Sequence, residues 1–324
     1  MKNILVYILK RIIQTIPLLF IVSILSFFII RLSPVDPLAE LKLNPSISAE
    51  TLQHETQRLG LDKPIIVQYG LWAKSFIKGD LGVTSTGEKV STKLKERIPN
   101  TLLLAVVVIF MTWIVGIPLG ILAALRWKTN EDRILTVLTS IGMAIPSFFF
   151  AILLLILAVK TGWFPAGGLT SYNFHEMSLS AQITDITRHL VLPVTVLFTI
   201  SLAGLQRQMR ANMLDVLNED YIKFARAKGL SEFKIVFKHA LRNAVNPMIT
   251  LLGFEFASLL SGAALTEYVF QYPGLGRLIL EAVLKSDINL VMASLMIGAI
   301  MLIIGNLIAD ILLILTDPRI REGA

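Results

Sequence analysis

Six apolar stretches dominate this chain. Ile12 to Ile30, Ile98 to Leu125, Ile134 to Val159, Leu190 to Gln206 and Ile288 to Ala309 contain no Asp, Glu, Lys or Arg, and a sixth, Asn243 to Thr266, is interrupted only by Glu255. Crossing ~30 Å of hydrocarbon takes about 20 apolar residues in a helix, because each backbone amide must be satisfied inside the span. The runs predict an all-α polytopic membrane protein with six transmembrane helices. The shortest is Leu190 to Gln206, which also contains Pro193.

Composition agrees with this reading. Hydrophobic residues make up 54% of the chain and charged residues 16%, where an ordinary soluble domain carries roughly 25% charged residues. The apolar content excludes a disordered chain, and the absence of cysteine excludes a disulfide scaffold, thiol catalysis and thiolate metal sites. Lys2, Lys10 and Arg11 precede the first run as in a signal peptide, but no small-residue cleavage site follows it, so it reads as a retained span. The net charge of +7 raises the question of a nucleic-acid partner. Position answers it: segments 1–11, 126–133, 206–242 and 316–324 hold 16 basic residues, against 4 in 160–189 and 267–287. Such a bias places both termini and the 206–242 connection in the cytoplasm, and it argues for topology and against nucleic acid.

Segment 31–97 is then extracytoplasmic and too long for a bare connection. Ser48 to Leu59 reads as a polar helix ended by Gly60, and Tyr69, Trp72, Ala73 and Phe76 recur at helical spacing, to meet a partner, lie at the membrane interface or pack on the spans. Enzyme chemistry finds no foothold. None of the four histidines lies well inside a span, no metal-ligand spacing occurs, and the chain has no Gly-Lys pair with which a P-loop would hold phosphates. Gly274-Leu275-Gly276 follows Pro273 and reads as a turn.

The cytoplasmic connection has the most internal order. Asn218 suits an N-cap, Glu219 and Asp220 suit a helix start, and Lys228-Gly229 suits its end. A second helix is expected from Ser231-Glu232 through Phe237 to Asn243. On the first, Tyr221, Phe224, Ala225 and Lys228 share one face, while Ala225, Ala227 and Gly229 permit close approach. That face suits either a protein pocket or anionic headgroups.

These residues carry a resemblance. The stretch Asp220-Tyr221-Ile222, Ala225-Arg226-Ala227-Lys228-Gly229-Leu230-Ser231 and His239-Ala240-Leu241-Arg242-Asn243-Ala244 resembles the coupling loop of permease subunits in the dipeptide/oligopeptide/nickel family of ABC importers. Further blocks agree: Pro34-Val35-Asp36-Pro37, Leu59-Gly60-Leu61-Asp62-Lys63-Pro64, Gly79-Asp80-Leu81-Gly82, Ile145-Pro146-Ser147-Phe148, Gly162 to Gly168, Pro273-Gly274-Leu275-Gly276-Arg277 and Asp317-Pro318-Arg319-Ile320-Arg321. Against the general importer signature, Glu-Ala-Ala-x-x-x-Gly followed by Ile-x-Leu-Pro, Ala225 and Gly229 match. Lys223, Phe224, His239 and Arg242 depart from it.

The resemblance implies a type I importer fold. Residues 1–30 form the N-terminal tail and first span, 31–97 the outer segment, 98–315 the permease core with coupling loop 206–242, and 316–324 the tail. It implies a non-catalytic subunit of the bacterial inner membrane that moves peptides or a related small solute. Its implied partners are a second homologous permease in a heterodimer, two ABC ATPase subunits that bind ATP and Mg, an extracytoplasmic substrate-binding protein, and membrane lipid. No cofactor is expected on this chain. Tyr221, Phe224, Ala225, Arg226, Ala227, Lys228 and Gly229 are the implied ATPase-coupling residues. Glu255 lies near a span centre, where a carboxylate is costly; it belongs either to the pathway, contacting a cationic group such as a peptide ammonium, or to hydrogen-bonded helix packing. A self-sufficient secondary transporter or channel explains the spans and Glu255 but leaves the ordered cytoplasmic helices without a use.

Overall fold

A computed structural model describes residues 2–32, 38, 42, 48–58 and 60–316. Pro34-Val35-Asp36-Pro37, Leu59 and Asp317-Pro318-Arg319-Ile320-Arg321, with the rest of tail 317–324, lie outside the described residues. Among the described residues eleven helices carry the architecture: α1 (Lys2–Leu32), α2 (Ala49–Arg58), α3 (Ile65–Ile77), α4 (Val90–Leu125), α5 (Asn130–Ala144), α6 (Ser147–Thr161), α7 (Leu179–Leu217), α8 (Asp220–Ala227), α9 (Asn246–Val269), α10 (Leu275–Leu284) and α11 (Ile288–Thr316). Between α8 and α9, residues 232–244 form one further helical segment whose middle, Ile235–Ala240, is π-helical. Among the described residues extended pairing is limited to an isolated bridge between Val83 and Lys89.

Among the described residues four helices, α1, α4, α7 and α11, are each long and apolar enough to cross a membrane. A fifth candidate is the pair α5 and α6, which meet at 92°. The sequence predicts one helix over Ile134 to Val159, and the structure divides it. Pro146 has no N–H to donate and its ring displaces the preceding turn, while Ile145 before it adopts an extended backbone with φ −86° and ψ 123°. Pro118 and Pro193 lie inside the continuous helices α4 and α7. Leu190 to Gln206 is the middle of a 39-residue helix, so the shortest apolar run belongs to the longest element.

Close helix crossings centre on glycine. A Cβ built on Gly116 would stand 2.8 Å from Leu205 Cδ2, and one on Gly120 would stand 2.6 Å from Met209 Cβ and 2.9 Å from the Gln206 carbonyl oxygen. Gly116 and Gly120 therefore form the packing face of α4 on α7. Gly142 brings α5 onto α7 in the same way, with Thr199 Cγ2 2.6 Å from its built Cβ. Gly253 packs against Asn306 and Gly305 against Phe256, joining α9 to α11. Polar pairs add to the α5–α7 contact. Arg210 donates from Nε and Nη2 to the two Asp132 oxygens at 2.6 and 2.7 Å, and Thr139 Oγ1 donates to Gln206 Oε1 at 3.3 Å.

At the opposite end of the bundle a buried carboxylate knots three segments together. Glu267 accepts from Thr101 Oγ1 at 3.1 Å and from the Arg277 amide at 2.8 Å, beneath Gly274 and Gly276, where a Cβ would collide with it or with Ala264. Thr101 Oγ1 also accepts from the Leu275 amide at 2.7 Å, and Tyr272 Oη donates to the Asn100 carbonyl at 2.7 Å. The 273–277 block is thus a structural turn leading into α10. Nearby, Asp287 accepts from the Leu290 amide at 3.0 Å as the cap of α11 and from the Ser85 amide at 2.7 Å, fastening the 82–89 turn.

Two outcomes follow from these contacts. Gly120→Leu forces α4 and α7 apart and sharply lowers the yield of monodisperse protein in detergent, whereas the same change at Gly204, where a Cβ meets nothing within 4 Å, is tolerated. Arg210→Met leaves the buried Asp132 carboxylate without its cationic partner, costs about 3 kcal/mol, and lowers the melting temperature measured by thermal denaturation in the same detergent.

Candidate functional site

The 217–245 region folds as two short helices on a shared apolar floor. α7 ends at Leu217, and Asn218 closes it by donating from Nδ2 to the Leu214 carbonyl at 2.9 Å. This corrects the sequence expectation that Asn218 caps α8; Glu219 stands at the N-cap, and its carbonyl accepts from the Ile222 and Lys223 amides. Asn218 loses that role because α7 continues to Leu217, about three turns past the apolar run that ends at Gln206. Glu219 and Asp220 place negative charge at the helix start, where unpaired amides attract it. Lys223 Nζ sits 2.9 Å from Asp220 Oδ1, and this hydrogen-bonded ammonium holds the Asp220 carboxyl below the usual carboxylate range. At the other end Gly229 has φ +75°, the left-handed conformation that glycine takes without a Cβ penalty, and the Leu230 amide reaches back to the Ala225 carbonyl at 3.3 Å.

Which side chains face inward decides what this hairpin can do. Ile222 is fully buried and, with Ile235, Val236, Ala240 and Ala244, joins Met209 and Met213 of α7, Ile121 and Ala124 of α4 and Met248 of α9 in one core. Ala225 packs against the same core. Of the four residues expected to share one face, Tyr221, Phe224 and Lys228 are exposed, while Ala225 is half-buried at its inner edge beside Ile222. Phe224 is 68% exposed. Arg226, Ala227, Lys228 and Gly229 are also exposed. Tyr221 Oη accepts from Asn243 Nδ2 at 2.7 Å, and Arg226 Nε donates to Glu232 Oε1 at 2.8 Å, so the two helices are tied at both ends. Asn212 of α7 donates to the Ala244 carbonyl at 3.0 Å and fixes the second helix to the bundle.

Two exposed phenylalanines extend the surface beyond the residues singled out in the sequence. Phe233 and Phe237 lie with ring centroids 4.7 Å apart on the 232–244 helix. Their i, i+4 spacing was a readable signal, as was Ile222, an aliphatic residue between charged and aromatic ones. Chemically the hairpin carries exposed rings over a buried anchor, an arrangement that suits a protein pocket or anionic headgroups.

Glu255 lies elsewhere, on α9, half-buried, and accepts a 2.7 Å hydrogen bond from Trp113 Nε1 of α4. Nothing in the sequence pairs these two residues, which are 142 positions apart.

Comparison with known proteins places this architecture. Residues 116–322 match the family described as binding-protein-dependent transport system inner membrane component, and residues 4–105 match its N-terminal companion family. The chain is 42% identical over 318 residues to the oligopeptide transport system permease protein AppB of Bacillus subtilis strain 168, covering 97% of this chain and 99% of that one. It is 36% identical over 335 residues to the di/tripeptide transport system permease protein DppB of Pseudomonas aeruginosa strain UCBPP-PA14, with 98% of each chain covered. Among solved structures, a chain of the MetNI methionine ABC transporter superposes with a TM-score of 0.58 at 16% identity, covering 70% of this chain and 97% of that one, and so shares its fold. On the family match and these near full-length relatives, the chain belongs to the inner membrane components of binding-protein-dependent transport systems.

Proposed function

We propose that this permease carries peptides or a related small solute across the inner membrane as one half of an ATP-driven importer, and that α8 with the 232–244 helix receives the motion of an ATPase subunit. The observation that carries the coupling role is the buried Ile222: it fastens an exposed aromatic helix to the ends of α4, α7 and α9. A short helix held in this way passes on a rigid-body displacement, whereas a loose loop absorbs it. The relatives' names as oligopeptide and di/tripeptide permeases support the substrate class.

The proposed assembly contains a second homologous permease, two ATPase subunits and an extracytoplasmic binding protein. ATP and Mg bind on the ATPases, and this chain is a non-catalytic pathway subunit. The proposed topology has six spans, formed by α1, α4, the bent α5–α6 pair, α7, α9 and α11, with both termini and the α8 hairpin cytoplasmic. The four long apolar helices, the α5–α6 candidate and the basic bias of the 206–242 connection support it.

Glu255 is proposed to face the pathway, where its charge meets a cationic group of the solute. Its contact with Trp113 sets the carboxylate's orientation.

Two substitutions test these roles. Phe224→Ala removes an exposed ring that lies outside the buried core, so the chain inserts and assembles normally while ATPase association weakens by about tenfold or more; uptake and substrate-stimulated ATP hydrolysis in proteoliposomes fall together. Glu255→Gln keeps an acceptor for Trp113 and removes the charge. Uptake of peptides with a free ammonium declines relative to N-acetylated ones, and an unchanged affinity and range would remove Glu255 from the pathway.

A further inference from the structure

Helix α3 is apolar on two faces, and among the described residues only one of them is covered by protein. Tyr69 and Trp72 turn toward α1, and Phe76 stacks on Trp72 with ring centroids 5.4 Å apart. Tyr69 and Trp72 meet Phe27 with ring centroids 5.4 and 6.0 Å apart, Phe20 packs edge-on to Tyr69 at 6.5 Å, and Tyr69 Oη pairs with Ser23 Oγ at 2.8 Å. The other face exposes Ile66 at 73%, Ile77 at 85%, and Val67 and Leu71 between them. Lys74 lies on this face in the last turn, and Lys63 and Lys78 flank the helix, all three exposed.

Depth decides what covers that second face. Ser23 lies seven residues before Ile30, the outer end of the first apolar run, and at ~1.5 Å per residue it sits roughly 10 Å below that end along α1. A helix whose Tyr69 reaches Ser23 cannot stand clear of the membrane in water. The exposed apolar side of α1, including Leu25 and Ile29, continues at this level. The paired hydroxyls of Tyr69 and Ser23 also satisfy each other without water, as burial beside hydrocarbon requires.

We infer that α3 is embedded in the outer leaflet of the membrane, with Ile66, Val67, Leu71 and Ile77 against acyl chains and Lys63, Lys74 and Lys78 at the phosphate level. The helix is an interfacial lipid-binding element that anchors the outer segment to the bilayer beside α1. Lysine stems of this length reach the headgroups from an apolar helix, and anionic lipid strengthens the contact. This rests on the proposed reading of α1 as a span with a cytoplasmic N-terminus.

Because the chain has no cysteine, single-cysteine reporters can be introduced without background from it, and the partner subunits are made cysteine-free for the labelling. Leu71→Cys, Ile77→Cys, Ile16→Cys on α1 and Ser85→Cys in the outer turn are each spin-labelled in the complete importer reconstituted in phospholipid vesicles. Collisions with oxygen and with a water-soluble nickel chelate are then compared. The ratio of oxygen to nickel accessibility at Leu71 and Ile77 is expected to exceed that at Ser85 by roughly tenfold, with a depth ~5–10 Å below the phosphates. A Leu71 label as open to nickel as Ser85, or shielded from both reagents by protein, overturns the inference. A water-exposed label at Ile16 would instead overturn the reading of α1 as a span, so the two failures are distinct.

Discussion

The arrangement depends on how closely α4 approaches α7. Gly116 and Gly120 have no side chains to hold the helices apart, so Leu205, Gln206 and Met209 fit directly against the α4 backbone. That contact sets the spacing of Ile121 and Ala124 from Met209 and Met213, and these four residues form the floor under Ile222 and Ile235. The position of α8 is therefore fixed by helix packing a full turn away from it. In a bilayer, where lipid tails are as apolar as leucine, such close van der Waals contact and interhelical hydrogen bonds hold helices together. The Arg210–Asp132 and Asn212–Ala244 contacts extend the same unit to α5 and to the 232–244 helix.

Much of this was legible in the sequence because it is local. Charge-free runs mark where helices lie, and Gly229 marks the end of α8 through its left-handed backbone. What escaped was set by contacts between distant residues. The half-buried position of Ala225 depends on where α7 and α4 present methionine and isoleucine, and the pairing of Trp113 with Glu255 joins residues on different helices. The 92° break at Pro146 is intermediate: proline announces a disruption, but Pro118 and Pro193 sit in unbroken helices, so the residue alone does not decide the geometry.

The two ends of the molecule are built for different tasks. At the end bearing Glu267 and Asp287, buried carboxylates accept backbone amides and lock α10 and the 82–89 turn onto α4 and α11. At the 206–244 end, aromatic side chains project outward from an anchored hairpin. One end is fastened inward, while the other leaves exposed rings on an anchored hairpin, the surface through which we propose that this inner membrane component meets an ATPase subunit.

The central claim is that α8 moves with the helices it rests on. It is tested by the distance between spin labels at Leu125→Cys, at the end of α4, and Ala227→Cys, at the end of α8, measured by pulsed dipolar spectroscopy in the complete importer with and without trapped nucleotide. The account predicts that this distance stays constant while the distance from Leu125 to a label on the second permease changes. An α8 that shifts against α4 while the two permeases keep their separation would contradict it.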